Sequence, residues 1–228
     1  MLVAGFPAGP FATNCWVVAP EAGAQCVVID PGVGAETPLD DVLRERHLRP
    51  VAVLLTHGHV DHTFAVVPVC GAHGVAAYVH PADRAQIADP WSGLGARRDI
   101  PLLGRLEFAE PDDVRELTDG QRLSLAGLEL TVALAPGHTP GSVVFGLTTP
   151  EASMMFSGDL LFAGSIGRVD LPGGSEVEML VSLSRVVLPL PDETVVLPGH
   201  GPSTTVGAER SGNPYLQLAA NPAPGIRL

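Results

Sequence analysis

The chain contains no lysine, and all 13 of its basic residues are arginine. The absence of lysine excludes covalent chemistry that depends on a lysine amine. Aspartate and glutamate number 25, which gives a formal net charge of -12. A field of that sign repels nucleic acid and anionic membrane surfaces, so neither is expected as a partner and a nuclease is disfavoured. An anionic substrate would need local positive charge at its binding site.

Cysteine is also scarce, with Cys15, Cys26 and Cys70 forming neither a C-x-x-C motif nor an even-numbered framework. Disulfide scaffolds need paired cysteines, so a reducing cytoplasm is the expected location. The first ten residues lack the positive and apolar regions of a signal peptide. No apolar run approaches the roughly 20 residues of a membrane-spanning helix, so no membrane partner is expected.

Hydrophobic residues make up 46% of the 228 residues, enough for a sizeable core. There is no internal repeat and no low-complexity stretch, so we predict one domain over residues 1–228. The oligomeric state stays open.

Short β-rich runs recur, and several are continuously apolar, which is typical of strands covered on both faces. The runs lie at residues 13–19, 25–29, 51–55, 75–79, 128–134, 142–147, 153–156 and 194–197. Thr37 before Pro38 predicts a helix N-cap, and Ser175 with Glu178 predicts a capping box. Residues 89–103 are predicted to form a long surface loop. The mixture of elements indicates a layered α/β fold.

Four of these runs lead into glycine-containing turns that carry histidine or aspartate. Because side chains at strand ends of a rigid sheet can converge on one point, we expect them to form one site. Imidazole and carboxylate groups are ligands for zinc, iron and manganese. The seven residues are His57, His59, Asp61, His62, His138, Asp159 and His200.

The alternative for each of these residues taken singly is a solvated turn or a helix cap. Three histidines and one aspartate within six residues, directly after an apolar run, argue against it for the first cluster. His47, His73 and His80 have no such setting, and we predict ordinary helix or loop roles for His47 and His73. Asp30 follows an apolar run and is a candidate hydrogen-bond partner for a ligating histidine; an Asp-Pro-Gly turn explains it equally well.

The string Thr-His-Gly-His-Val-Asp-His at residues 56–62, with His138, Asp159 and His200, resembles the metallo-β-lactamase superfamily. The resemblance spans most of the chain and implies an αββα four-layer sandwich, with two mixed β-sheets flanked by helices and a site at one edge. Residues 13–16, 136–142, 158–174 and 197–201 look most like the glyoxalase II (hydroxyacylglutathione hydrolase-like) group. The basic C-terminal residues with which glyoxalase II binds glutathione have no counterpart here, which leaves the thiol open.

The resemblance implies a hydrolase with two divalent metal ions, expected to be zinc, with iron or manganese as alternatives. A metal-bound hydroxide would cleave a small thioester of the S-(2-hydroxyacyl)-thiol type, with no need for a Ser/His/Asp nucleophile system. Asp61 would be both a ligand and a catalytic residue. One ion would be held by His57, His59 and His138, the other by Asp61, His62 and His200, with Asp159 bridging both.

Arg168 lies in a glycine-rich loop where glyoxalase II proteins carry a basic, glutathione-binding residue. We predict that it binds the carboxylate of the thiol carrier, because arginine can grip a carboxylate with two hydrogen bonds. The competing interpretation is that Arg168 pairs with Asp170 and only shapes the loop.

Two other functions remain open at this point. One is a persulfide dioxygenase, in which His57, His138 and Asp159 would hold a single iron with free positions for oxygen and thiolate. The other is a non-enzymatic metal or thiol sensor on the same scaffold. All seven ligands are compatible with the dioxygenase as well as the hydrolase, so the motif does not decide between them.

Overall fold

Two six-stranded sheets form the centre of the computed structural model, which describes residues 1–95 and 107–221. The first sheet contains, in spatial order, β1 (Leu2–Ala8), β2 (Thr13–Ala19), β3 (Gln25–Ile29), β4 (Arg49–Leu54), β5 (Ala76–Val79) and β6 (Val114–Glu116). The second sheet contains, in spatial order, β7 (Arg122–Leu125), β8 (Leu128–Leu134), β9 (Val143–Thr148), β10 (Ser153–Gly158), β11 (Val195–Pro198) and β12 (Thr204–Thr205). Both sheets are mixed, since β3 to β6 pair in parallel in the first and β10 pairs in parallel with β11 in the second.

Helices cover the outer faces of the sheets. They are α1 (Glu36–Arg46), α2 (Val60–Thr63), α3 (Val66–His73), α4 (Pro81–Ala88), α5 (Trp91–Leu94), α6 (Glu176–Ser182), α7 (Val206–Gly212) and α8 (Pro214–Ala220). A π-helical turn, Leu183–Val187, continues α6. Among the described residues, no helix has the length and apolar character needed to span a membrane.

The hydrophobic core has three parts, one for each interface between layers. Side chains such as Ile29, Leu54 and Phe145 fill the space between the two sheets. A second cluster packs α1 and α3 against the first sheet, and a third packs α6 and α8 against the second. The order helix, sheet, sheet, helix confirms the predicted αββα sandwich.

The eight predicted strands are present, with ends that differ from the prediction by at most two residues. The strands β1, β6, β7 and β12 were not predicted. β1 contains Gly5 and Pro7, which lower its β propensity, and most of its residues are not fully buried. Its seven-residue antiparallel pairing with β2 nevertheless makes it a strand.

The predicted helix start at Thr37 is wrong. Helix α1 begins at Glu36 and its N-cap is Ala35, which makes no side-chain capping bond. The chain enters the helix earlier because the Ala35 N–H donates to the Gly32 carbonyl at 3.1 Å, and Leu39 N–H donates to Ala35 at 2.9 Å. Thr37 therefore lies inside the first turn.

The capping box at the start of α6 is only half formed. The Ser175 hydroxyl accepts from the Glu178 N–H at 3.3 Å, as predicted. The Ser175 N–H donates instead to the carbonyl of Gly137 at 2.8 Å, so it is not left for the Glu178 side chain. Of the loop predicted at residues 89–103, Trp91–Leu94 is a helical turn and residues 96–103 lie outside the described part of the chain.

Candidate metal centre

The seven predicted ligands meet at one point of the sandwich, beyond the ends of β4, β8, β10 and β11. Strand β4 leads into the turn that carries the first four, and the other three strands each deliver one residue. Three groups bring their potential ligand atoms within 4.8 Å of one another: His57, His59 and His138; His57, His62 and Asp159; and Asp61, His62 and His200. The first and the third of these groups share no residue, so the cluster has room for two separate ion positions.

Asp159 lies between these two positions. Its Oδ1 is 3.3 Å from Nε2 of His62, and its Oδ2 is 3.5 Å from Nε2 of His138 and 3.7 Å from Nε2 of His200. On the outer side, Oδ2 of Asp61 is 3.2 Å from Nε2 of His200. One carboxylate thus faces histidines of both groups, which is the arrangement that a bridging ligand requires.

Several buried polar atoms of the cluster have no hydrogen-bond partner. They include Nε2 of His57, Nε2 of His62 and Oδ1 of Asp159. An unsatisfied buried polar atom costs about 1–3 kcal/mol, and such atoms are rare in native proteins. Bound cations would satisfy these atoms, because imidazole nitrogen and carboxylate oxygen are suitable donors for zinc, iron and manganese. The histidine and aspartate cluster therefore fits a two-metal site.

Asp30 fixes the orientation of His62 from behind. Its Oδ2 lies 2.9 Å from Nδ1 of His62 and accepts from the Thr56 hydroxyl at 2.6 Å, while its Oδ1 accepts from the Thr56 N–H at 2.8 Å. An Nδ1–H donated to the carboxylate leaves Nε2 of His62 free to bind an ion. Asp30 also adopts a left-handed conformation, with φ of 53°. The sequence offered a turn and a contact to a ligating histidine as alternatives for Asp30, and both are present.

Two residues that support the site were assigned no role from the sequence. The Thr13 hydroxyl donates to Oδ2 of Asp61 at 3.0 Å. The Asn14 amide donates to the carbonyls of Pro198 and Gly201 at 3.0 and 2.9 Å, which holds the turn that carries His200. Both residues are buried at the start of β2. The only signal was their place in the stretch at residues 13–16 that carried part of the family resemblance.

The histidines of the cluster differ in their proton affinity. Burial, reinforced by neighbouring histidines, lowers the pKa of His57 well below its ordinary value and that of His59 to about 3. Burial acts in the same direction on His62 and His200, but carboxylates outweigh it: Asp159, Asp61 and Asp30 raise the pKa of His62, and Asp61 and Asp159 raise that of His200. His57 and His59, whose pKa values are lowered, are thus neutral at physiological pH, which is the form that binds metal.

The pKa values of the two carboxylates are shifted downwards. Burial alone would raise the pKa of Asp61 and of Asp159, but nearby positive charge on His62 and His200 holds both pKa values below the ordinary range. Both groups are therefore ionised at neutral pH and available as ligands.

Arg168 pairs with Asp170 through two hydrogen bonds of 2.7 Å, and 44% of its side chain is exposed. Its main-chain carbonyl has a separate role, because it lies 2.7 Å from Nδ1 of His138 and holds that ring. The pairing with Asp170 that was the competing interpretation is present. Substrate binding by the guanidinium remains a prediction.

The remaining histidines lie in ordinary positions. His47 ends α1 in a left-handed conformation, His73 lies in the last turn of α3, and His80 caps α4 by accepting from the Ala82 N–H at 3.3 Å. Within the described residues, Cys70 and His73 belong to no group of three potential ligands.

Residues 8–200 match the Metallo-beta-lactamase superfamily. An uncharacterized protein of Mycobacterium tuberculosis is 48% identical over 221 residues, which cover 95% of this chain and 98% of that protein. A hydroxyacylglutathione hydrolase of Haemophilus influenzae is 31% identical over 210 residues, covering 92% of this chain and 95% of the relative.

Solved structures show the same fold. The BLEG-1 B3 metallo-beta-lactamase is 39% identical with a TM-score of 0.83, covering 94% of this chain and 99% of its own. The protein TTHA1623 in a di-iron-bound form is 41% identical with a TM-score of 0.76, covering 93% of this chain and 99% of its own. With its αββα sandwich and its cluster of histidine and aspartate at the strand ends, the chain belongs to the metallo-β-lactamase superfamily.

Proposed function

We propose that this chain is a metal-dependent hydrolase that cleaves small thioesters of the S-(2-hydroxyacyl)-thiol type at a two-metal site. The observation that carries the proposal is the position of Asp159 between two histidine groups, with Oδ1 of Asp159 and Nε2 of His57 and His62 buried without a hydrogen-bond partner. The thioester class is supported by the identity with the hydroxyacylglutathione hydrolase.

In this proposal each group of side chains holds one ion. His57, His59 and His138 would hold the first ion, Asp61, His62 and His200 would hold the second, and Asp159 would contact both. When bound, two divalent ions polarise a carbonyl and lower the pKa of a coordinated water to about 7. No serine or cysteine nucleophile is then required.

Residues outside the ligand set hold the ligands in place. Asp30 sets the tautomer of His62, and the Thr13 hydroxyl fixes the Asp61 carboxylate, which is the proposed catalytic aspartate. With two divalent ions, the ligating carboxylates of Asp61 and Asp159 leave a local charge of roughly +2. This local charge would attract an anionic thioester and stabilise the oxyanion of its reaction, although the whole chain is acidic.

The donor set of five histidines and two carboxylates suits zinc, and it also accepts iron or manganese. The relative solved in a di-iron-bound form makes iron the main alternative to zinc. Metal identity is therefore part of the proposal and is measured with the activity.

Two other activities are compatible with the same site. The 39% identity with the BLEG-1 B3 metallo-beta-lactamase is the observation that supports β-lactam hydrolysis as an alternative. A persulfide dioxygenase would use one iron at His57, His138 and Asp159, and Oδ2 of Asp159 does lie 3.5 Å from Nε2 of His138. Both carry out different chemistry from thioester cleavage and are separated from it by assay.

The experiment compares three substrates on one protein preparation. The purified protein, with its metal content measured, is assayed for cleavage of lactoyl thioesters of several thiols, for hydrolysis of a cephalosporin, and for oxygen uptake with a thiol persulfide. We expect thioester turnover that is lost in Asp159→Ala. Rapid oxygen consumption, or β-lactam hydrolysis without thioester turnover, would overturn the proposal.

A further inference from the structure

Helix α4 places a buried carboxylate directly behind the three-histidine group. Asp83 is fully buried. Its Oδ2 accepts from the N–H of Gly58 at 2.9 Å and from the hydroxyl of Thr139 at 2.6 Å, and its Oδ1 accepts from the N–H of Gly141 at 2.8 Å. The three donors come from two different turns, residues 56–62 and residues 136–142. One side chain thus joins two parts of the chain that are far apart in sequence.

The two turns approach Asp83 so closely that neither has room for a side chain at its glycine. A Cβ atom on Gly141 would lie 2.6 Å from Cγ of Asp83, and one on Gly58 would lie 2.6 Å from its carbonyl oxygen. Real Cβ contacts are essentially never that short. The glycine of the His-Gly-His motif is therefore explained by its close contact with Asp83.

These contacts lie next to candidate ligands. Gly58 separates His57 from His59, and Thr139 follows His138. Between the two turns, Nδ1 of His59 lies 2.8 Å from Nε2 of His138. Because Asp83 ties both backbones to one carboxylate, it sets the distance between these histidines.

The same helix presents a second residue to this turn. Gln86, one turn after Asp83, is buried, and its Oε1 has no hydrogen-bond partner. A Cβ on Gly93 would lie 2.1 Å from this oxygen and 3.1 Å from Cδ2 of His59, so the amide and the imidazole lie on the same small patch. Gln86 of α4 and the His59 ring therefore both lie beside Gly93.

The other ion position has its own support. Asp30 holds His62, Thr13 holds Asp61, and Asn14 holds the turn that carries His200. All three come from the first sheet or the turn after it, and none of their hydrogen bonds involves Asp83. Asp83 takes no part in this support, and the only link from Asp30 to the three-histidine group in these contacts is the Thr56 hydroxyl, which donates to Asp30 and lies 3.1 Å from Nδ1 of His57.

We propose that Asp83 is a positioning residue for one ion only, the ion held by His57, His59 and His138. The inference rests on the proposed two-metal site. Loss of a hydrogen-bond partner behind a ligand typically weakens metal affinity 10–100-fold. Weakening the three hydrogen bonds that Asp83 accepts should therefore lower the affinity for one of the two ions and leave the affinity for the other unchanged.

The test uses variants graded in severity. Asp83→Asn puts an amide N–H against at least one of the three donors. Thr139→Val removes the hydroxyl that donates to Asp83 and lies 2.7 Å from the Ser142 hydroxyl, while the carboxylate stays. Thr139→Ser keeps the hydroxyl and serves as the rescue. Thr194→Val is the matched control, because Thr194 is equally buried and its hydroxyl has no hydrogen-bond partner.

Zinc affinity is measured by competition with a chelator, and thermal unfolding is followed on the metal-stripped proteins. We expect Thr139→Val to weaken one ion about tenfold and Asp83→Asn more, with the second ion within threefold of wild type and with Thr139→Ser and Thr194→Val unchanged. In a His200→Ala background, which leaves the three-histidine group intact, the remaining ion should show the full weakening.

Equal weakening of both ions, or unchanged affinity for both in variants that fold, would overturn the inference. Thr139→Val keeps the test decisive if Asp83→Asn does not fold. Failure of the proposed two-metal site is distinguishable, because the wild-type protein would then not bind two ions. Failure of the thioesterase assignment alone is seen in the substrate assays and leaves these affinities unchanged.

Discussion

Oδ1 of Asp159 lies 3.3 Å from Nε2 of His62, and both atoms are buried without a hydrogen-bond partner. Because the other oxygen of Asp159 faces His138, removal of this carboxylate strips a ligand from both ion positions. Asp159→Ala should therefore lower the metal content from about two ions to less than one per chain and abolish most activity. Elemental analysis of the dialysed variant checks this, with the exposed Asp112→Ala as control. Unchanged metal content in Asp159→Ala would refute the bridging role.

Asp30→Asn tests the support behind the second ion. Asparagine has nearly the same volume and tolerates the left-handed conformation that Asp30 adopts, so the turn should survive. The amide can no longer accept charge-assisted hydrogen bonds from both His62 and Thr56. We expect affinity for one ion to fall about 10–100-fold. In an Asp83→Asn background the larger effects should fall on different ions, because Asp30 contacts His62 directly and His57 only through Thr56. If both variants mainly weaken the same ion, the assignment of Asp30 and Asp83 to different ions is disproved.

Arg168→Ala tests recognition of the thiol carrier. The backbone carbonyl that contacts His138 remains in this variant, so only the guanidinium is lost. Loss of a charged hydrogen bond should weaken binding of an anionic thioester by about 1.5–3 kcal/mol, which is seen as a higher KM. Because Arg168 is exposed and already paired with Asp170, we expect a value near the lower end of this range. A neutral, truncated thioester should be much less affected.

The pair with Asp170 supplies a second variant for the same prediction. Asp170→Ala frees the Arg168 guanidinium and should lower KM for the anionic thioester. Steady-state kinetics of both variants on both substrates gives the answer. Equal losses on the anionic and neutral thioesters, or a change in stability alone, would assign Arg168 the structural role.

The buried cysteines predict a loss of stability at alkaline pH. Burial raises the pKa of Cys26 and of Cys70 to about 12, with Asp113 adding to the effect at Cys70. Burial also raises the pKa of Cys15 well above its ordinary value, with Asp30 adding to the effect. Their folded-state pKa values exceed the unfolded value of about 8.5, so the stability they contribute is complete below that pH. It is lost as pH rises from about 9 towards 12.

Urea unfolding at pH 8 and pH 10.5 measures this loss. Iodoacetamide at pH 8 should modify no thiol of the native protein and all three in urea. Rapid alkylation of the native protein would show that a thiol is accessible and ionised.

The parts of the site that depend on local sequence were predictable. The first four ligands lie within six residues after an apolar strand, and the other three follow strands that the apolar pattern also revealed. Covered strands leave a strong hydrophobic signal, which is why eight strands were predicted to within two residues. β1 left a weak signal, because glycine and proline interrupt it and pairing with β2 supplies its order.

The supporting contacts were not predictable from one sequence. Thr13 and Asp61 are 48 residues apart, and Asp83 and Gly141 are 58 residues apart. Thr13 and Asp83 are ordinary polar residues in their local sequence, and only the packing of the layers brings each of them to its partner. Asp30 was found because it directly follows an apolar run, which placed it at the same kind of strand end as the ligands.

The metal content of the protein purified without added metal tests the account most directly. Elemental analysis of the wild-type chain should find about two ions per chain, zinc or a mixture of zinc with iron or manganese. A chelator should remove both ions and abolish thioesterase activity. Adding the metal back should restore both ions and the activity. About one iron per chain, accompanied by oxygen uptake on a thiol persulfide, would contradict the two-metal hydrolase.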